Sequence, residues 1–351
     1  MPSARSSQVE LFEIFQFTLN LSKAVPPREE TTGASSLVAL GALFDFSVPA
    51  QDRRRGVVLF VDLPADKASR YGQQISGILA QSSLPPGLAG KLAGRWDHAA
   101  AVALGRSGRA FAWPVRERAK ETHASELTAL LVAALRGFQV FMEARRPMPV
   151  FSDEVSRPAF LAFVDASRRD LPDGSQAYRL GGVLWGPGLA RCFTLDVPVV
   201  ATCLLPQHAG NAINEAEALA ALVAVRHLES SAADSDLFVF IDSMAAEGVL
   251  IKGYSSSEQL TAITASFWAS IRRGGAACWV GRVPSRLNVA DGFSREDFQL
   301  QAKLGLAWAE VSIPRGDDIP WLRQQEQPAR PACAAAAARK DRRRGKHQGL
   351  A

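Results

Sequence analysis

Cysteine is scarce in this 351-residue chain: there are four, at positions 192, 203, 278 and 333, and none has C-x-x-C spacing. That spacing suggests neither a cysteine zinc site nor a disulfide framework, and it fits a reducing compartment. Long apolar runs are also missing. No stretch of about 18 uncharged apolar residues occurs, so no membrane span is expected. The N-terminus lacks a basic segment leading into an apolar one, so no secretory signal is expected, and the implied location is cytoplasmic or nuclear. No internal repeat is visible.

What the chain does have is an ordinary core composition, with 47% hydrophobic and 21% charged residues. Its length suits about two domains. The formal charge of +5 is concentrated at one end. From Arg339 onward six Lys/Arg stand against one Asp, which leaves the rest formally neutral. The run Arg339-Lys-Asp-Arg-Arg-Arg-Gly-Lys346 reads either as a nucleic-acid-binding or nuclear-import segment or as a solvated end.

The first 150 residues read as mostly helical with one small β element. Val9 to Leu21 is apolar, and Pro26 to Gly33 reads as a loop. Leu37–Phe46 and Gly56–Val61 are strand-like and flank a polar turn at Asp52-Arg-Arg-Arg55, the pattern of a β-hairpin. Helices are expected over Asp66–Gln81, Leu88–Ala103 and Glu121–Ala144, with Leu84-Pro-Pro-Gly87 and Arg145-Arg-Pro147 as stops.

From residue 160 the pattern changes. Strand-like runs at 160–164, 179–185 and 190–197 are separated by Pro172-Asp-Gly174 and Gly186-Pro-Gly188, which predicts an antiparallel meander. A helix over about 214–228 follows. A strand at 237–241, helices from about 243 and over 258–273, a strand at 276–280 and a helix from about 288 complete the order. The expected fold class is α/β, a mixed sheet with helices on its faces. Beyond residue 300 the pattern fades into prolines, alanines and the basic tail.

Four acids stand at element edges in this second half. Asp165 ends the apolar run Phe160-Leu-Ala-Phe-Val. Glu217 lies three residues after Asn214, Asp242 closes Leu237-Phe-Val-Phe-Ile241, and Asp291 lies three residues after Asn288. Each has a plain structural reading: a turn acid for Asp165, capping-box or helix-start acids for Glu217 and Asp291, an N-cap for Asp242. Together they say more. Strand ends and helix starts on one edge of an α/β sheet face a common crevice. Carboxylates gathered there repel one another and raise each other's pKa. Divalent cations remove that conflict, and magnesium takes carboxylate and phosphate oxygens. Two such ions activate water and stabilise the leaving oxygen of a phosphodiester.

The segments Phe-Val-Asp165-Ala-Ser, Asn214-x-x-Glu217-x-Leu-Ala-Ala, Phe-Ile-Asp242-Ser and Asn288-Val-Ala-Asp291-Gly-Phe-Ser-Arg295 resemble the type 1 ribonuclease H domain of retrotransposon reverse transcriptases, DIRS-type elements being the nearest group. The likeness covers about residues 158–298. It implies a ribonuclease H-like sheet of three antiparallel strands followed by two parallel ones. It also implies hydrolysis of the RNA strand of an RNA–DNA hybrid with two Mg²⁺ ions, or Mn²⁺. On that likeness Asp165 bridges both metals, Glu217 and Asp242 complete the leaving-group metal, and Asp291 holds the metal that activates water. Asn214 and Ser243 contact the hybrid, whose shape and 2′-hydroxyls such a site reads. Two departures stand out. Ala218 replaces the usual Leu after the catalytic Glu, and the loop Val280–Leu287 has no His, leaving Arg282 or Arg286 to substitute. Glu215 is a rival to Glu217 but lacks the family's helix register. Trp279 reads as a core residue rather than a base-stacking platform.

Residues 1–150 resemble the late palm, thumb and connection of a reverse transcriptase, through Leu21-Ser-Lys23, Leu40–Asp45, Leu63-Pro-x-x-Lys67, Lys91–Arg95 and Gly105-Arg-x-Gly-Arg109. No Tyr-x-Asp-Asp occurs, so no polymerase activity is expected. Residues 299–351 read as an irregular extension. Two other readings stand beside the nuclease. One is a decayed retroelement module that binds nucleic acid without cutting. The other is a different superfamily member such as an exonuclease, though exonucleases carry Asp-x-Glu on the first strand, where this chain has Asp165-Ala-Ser167.

Overall fold

The computed structural model describes residues 36–143, 145–152, 156–172, 176–198, 205 and 212–314. The apolar segment at 9–21, the turn residues 173–174 and the basic tail lie outside them.

The first half is built on a four-stranded antiparallel sheet rather than on one hairpin. The strand-like run at 37–46 folds back on itself as β1 (Ser36–Ala39) and β2 (Ala42–Asp45). Leu40 and Gly41 both have positive φ, 50° and 77°, the conformation that joins two strands through a two-residue turn. Asp52 to Arg55, expected as a turn, falls largely within a short helix, α1 (Ala50–Arg54), before β3 (Val57–Asp62). Helices α2 (Ala65–Gln81), α3 (Pro86–Ala99), α4 (Arg109–Lys120) and α5 (Ala129–Glu143) follow, then β4 (Met148–Phe151). The helix expected from Glu121 starts eight residues later. Polar Glu121–Leu127 stays extended because Leu84 N–H bonds to Ser125 O (2.6 Å) and the buried Arg118 bonds to Glu126 O (2.7 Å). The Thr128 hydroxyl then accepts from Leu131 N–H and opens α5. Trp96 of α3 stacks on Phe138 of α5 at 3.9 Å.

The second half is a six-stranded mixed sheet. Its elements are β5 (Ala159–Asp170), β6 (Gln176–Gly186), β7 (Leu189–Asp196), α6 (Ile213–Leu228), β8 (Asp236–Ile241), α7 (Met244–Lys252), α8 (Glu258–Gly274), β9 (Ala277–Arg282), α9 (Asp291–Ser294), α10 (Gln299–Leu304) and β10 (Ala307–Trp308). Strand order is β10-β7-β6-β5-β8-β9; β5, β6 and β7 are antiparallel, and β8 and β9 run parallel to β5. These are the three antiparallel and two parallel strands expected of the ribonuclease H-like class.

Alternation along the strands sorts the two faces. Phe160, Ala162 and Val164 of β5, Leu237, Val239 and Ile241 of β8, and Val280 of β9 share one buried cluster with α6 and α8. Five alanines on α6 are wholly buried, which brings its backbone close to the sheet. Residues 299–314, expected to be irregular, add α10 and the edge strand β10, because Leu306 is buried beside Phe293, Val183 and Cys192. The helix expected from 288 is one turn that begins only at Asp291. Among the described residues no helix is long and apolar enough to cross a membrane.

Candidate metal centre

Asp165 is not at the end of its strand. It lies within the antiparallel ladder, opposite Gly181, while the parallel pairing with β8 stops one residue earlier at Val164–Ile241. β5 therefore continues alone past the end of β8. Asp242, the next residue of that chain after Ile241, stands at this notch. Glu217 comes from the first half of α6. Asp165, Glu217 and Asp242 each offer an oxygen within 4.8 Å of the others, an arrangement able to hold a metal ion.

The cluster is held under electrostatic tension. Burial, opposed by the Ser294 hydrogen bond and reinforced by the carboxylates of Asp242 and Asp291, pushes the Asp165 carboxyl up to about 6. Burial, with Asp165 and Asp242 adding to it, pushes Glu217 up to about 9. Glu217 Oε2 is buried without a hydrogen-bond partner in the protein. A buried carboxylate oxygen left over beside two further acids is the donor set a hard divalent cation takes.

Asp291 stands near enough to raise the pKa of both buried acids. It is not one of the close trio, and its Oδ1 accepts from Arg295 Nε at 2.8 Å. Of the plain structural readings of the acids only one holds, Asp291 as the first residue of α9. The cap of α7 is Ser243, whose hydroxyl accepts from Ala246 N–H, so Asp242 is not an N-cap. Asn214 lies inside α6 after Ala212, and Asn288 is not the cap of α9. Glu215 accepts from Ser257 at the start of α8, which removes it as a rival to Glu217. Asn214 and Ser243 are joined, Ser243 Oγ donating to Asn214 Oδ1 at 3.3 Å. Arg282 and Arg286 are exposed along the segment that leaves β9. Trp279, expected in the core, is 52% exposed.

Two residues of the Asn288–Arg295 phrase do more than the sequence assigned them. Asn288, buried, donates from Nδ2 to Val164 O (2.9 Å) and accepts from Ala290 N–H, pinning the approach to Asp291 onto β5. Ser294 donates to Asp165 Oδ2, and its own carbonyl accepts from Ser167 Oγ. Gly181 makes this contact possible, since a Cβ there would lie against the backbone of Phe293 and Ser294. Ser294→Ala is expected to cost about 1 kcal/mol of stability for one lost hydrogen bond. It should also lower metal affinity by roughly 10- to 100-fold, as for other groups that orient ligands. Calorimetric titration with Mn²⁺ beside a thermal melt checks both.

No known protein-family profile matches the chain, and no curated protein matches it. Solved structures do resemble it. The N-terminal RNase H domain of a Mycobacterium tuberculosis protein, solved as a fusion with maltose-binding protein, is 15% identical at a TM-score of 0.30, over 42% of this chain and 99% of that one. RNase H1 from Halobacterium salinarum is 20% identical at 0.30, over 40% and 97%. A foamy viral protease-reverse transcriptase in complex with RNA/DNA hybrid is 8% identical at 0.30, over 76% and 53%.

Proposed function

We propose that this chain is a divalent-metal-dependent endonuclease that hydrolyses the RNA strand of an RNA–DNA hybrid. The observation that carries the reading is the trio of Asp165, Glu217 and Asp242, oxygens within 4.8 Å, with one buried carboxylate oxygen left unpartnered. Three sequence-distant acids kept together at that cost fit a bound cation better than they fit a stable empty core. Asp165, Glu217 and Asp242 would hold one Mg²⁺ or Mn²⁺ ion, and Asp165 with Asp291 a second. When bound, such ions supply an activated water and offset charge on the phosphodiester.

The chain's own groups do the rest. Ser294 fixes one oxygen of Asp165 and leaves the other for ligation. Arg295 keeps Asp291 from turning away. Asn214 and Ser243, the latter next in sequence to Asp242, are linked by a hydrogen bond and would meet the hybrid backbone and its 2′-hydroxyls. In the same reading the chain derives from a retroelement, of DIRS type on its motifs. Residues 1–150 then correspond to a late palm, thumb and connection, and residues 158–298 to the nuclease domain.

The test is a labelled RNA–DNA hybrid incubated with purified protein and Mg²⁺. Internal cuts in the RNA strand that stop on chelation are expected. RNA left intact at all Mg²⁺ and Mn²⁺ concentrations, with the hybrid still bound, would leave only a binding module. Glu217→Gln and Glu215→Gln separate the two rivals: because Glu215 is held by Ser257 and is outside the trio, its change should lower cleavage far less than that of Glu217.

A further inference from the structure

The sheet face that carries Ser294 and α9 is only half covered. Phe293, Leu306, Val183 and Cys192 form a closed cluster over β6 and β7. Over β5, β8 and β9 the same face is aromatic. Phe163 stacks on Phe240 at 4.7 Å, and both Phe240 and Phe238 turn towards Trp279 at steep angles, 67° and 57°. Phe163, Phe238 and Phe240 are half-buried, while Trp279 is 52% exposed.

The indole leans over its own strand. A Cβ on Gly281, two residues along the same strand and on the same face, would clash with the Cη2 and Cζ3 edge of the six-membered ring of Trp279. The ring edge therefore fills the space left bare by Gly281, and about half of the residue, 52%, stays open to solvent. Gly281 pairs with Phe240, and Arg282 pairs with Ile241, the residue before Asp242. At ~3.3 Å per residue and ~4.8 Å per strand, Asp242 is on the order of 8 Å from the backbone under the indole.

We propose that Trp279, seated on Gly281, is a stacking platform for an unpaired nucleobase beside the acid pocket. The proposal rests on the hybrid-nuclease reading and extends it from the duplex to a single-stranded flank. Paired bases inside a duplex have both π-faces covered by their neighbours, so a lone open indole takes an unpaired base. Stacking of this kind is sequence-tolerant, because every base has a π-face. Phosphates of the same strand meet the exposed guanidinium groups of Arg282 and Arg286. The aromatic row joins the acid pocket directly: Phe163 stands two residues before Asp165 on β5, and Phe240 two residues before Asp242, which follows the end of β8.

Asp165→Asn protein, which should bind without cutting, is titrated with two hybrids at fixed salt. One is blunt; the other carries a three-nucleotide RNA overhang containing 2-aminopurine. The overhang is expected to tighten binding roughly tenfold, the scale of one stacked base, and to quench the 2-aminopurine. Adding Trp279→Ala should erase both effects and leave the blunt hybrid's affinity unchanged. Trp279→Phe should restore part of each. Equal affinity for the two hybrids, or an overhang effect that survives Trp279→Ala, overturns the proposal. So does loss of self-association in Trp279→Ala with the overhang effect intact, which makes the face a contact between copies. If neither hybrid binds, the nuclease reading fails first. An eight-nucleotide single-stranded RNA then tests the platform alone: quenching lost in Trp279→Ala supports it, and no quenching sinks it.

Discussion

Asp165→Asn should abolish hybrid cleavage while leaving the metal-free protein as stable as the wild type, or more so. The two halves of this result have one cause. Burial, with the carboxylates of Asp242 and Asp291 adding to it, raises the pKa of Asp165 to about 6, so at neutral pH its charge opposes the fold. Asn keeps the shape, and its amide oxygen still accepts from the Ser294 hydroxyl. Removing the charge takes away the repulsion felt by Glu217 and Asp242. Without metal, the melting temperature should therefore hold or rise. With Mg²⁺ the effect on rate is opposite, because a group that stabilises charge at the reaction centre is typically worth on the order of 10²–10³ in rate. Single-turnover cleavage and a thermal melt with chelator measure the two together. A variant that both cuts normally and melts like the wild type would remove Asp165 from the chemistry. One that melts far lower would make it a structural acid.

The sequence pointed to the acids that the fold gathers better than it showed where they sit. The short apolar runs Phe160–Val164 and Leu237–Ile241 marked the strands, and the segment 214–228 read as the helix α6. With those three placed, Asp165, Glu217 and Asp242 had to share an edge. The sequence read Asp165 as a strand end because the apolar run stops there. β5 in fact continues through Arg168 and Arg169 as an exposed antiparallel arm, paired by backbone rather than by apolar side chains. Asn288 and Ser294 were in view only as letters of a motif. Their work is a contact across more than 120 positions of the chain, which local pattern does not encode. Trp279 is exposed for a related reason. An apolar strand residue is buried only if something covers its face, and α10 is a helix of six residues that turns back into β10 before reaching β9. In the first half, Leu40-Gly41 inside a strand-like run marked a turn that the apolar pattern hid. Glu121–Leu127 had helical composition but was claimed by its bonds to the segment around Leu84.

The second large effect is a fall in metal-free stability as pH rises, reversed by Mg²⁺. Glu217 titrates near 4.5 when exposed and at about 9 in the fold, and Asp165 moves from 3.8 to about 6. Between those values the folded protein holds protons that the unfolded chain has released. Stability must then drop with increasing pH wherever the native state binds more protons. For Asp165 the loss runs from about pH 4 to about 6; for Glu217 it runs on to about pH 9. At ~1.4 kcal/mol per pKa unit, the combined loss is on the order of several kcal/mol between pH 5 and 9. Occupation of the site by a divalent cation favours the ionised acids, so Mg²⁺ should stabilise most at alkaline pH and least near pH 5, where protons compete for the same oxygens. Melts at pH 5, 7 and 9, with chelator and with Mg²⁺, should diverge as pH rises. Glu217→Gln should flatten the chelator series and remove most of the Mg²⁺ effect, because Gln carries no charge to desolvate and none to offer a cation. A Mg²⁺ increment as large at pH 5 as at pH 9, or one unaffected by Glu217→Gln, would place the ion elsewhere on the protein and take the buried trio out of the site.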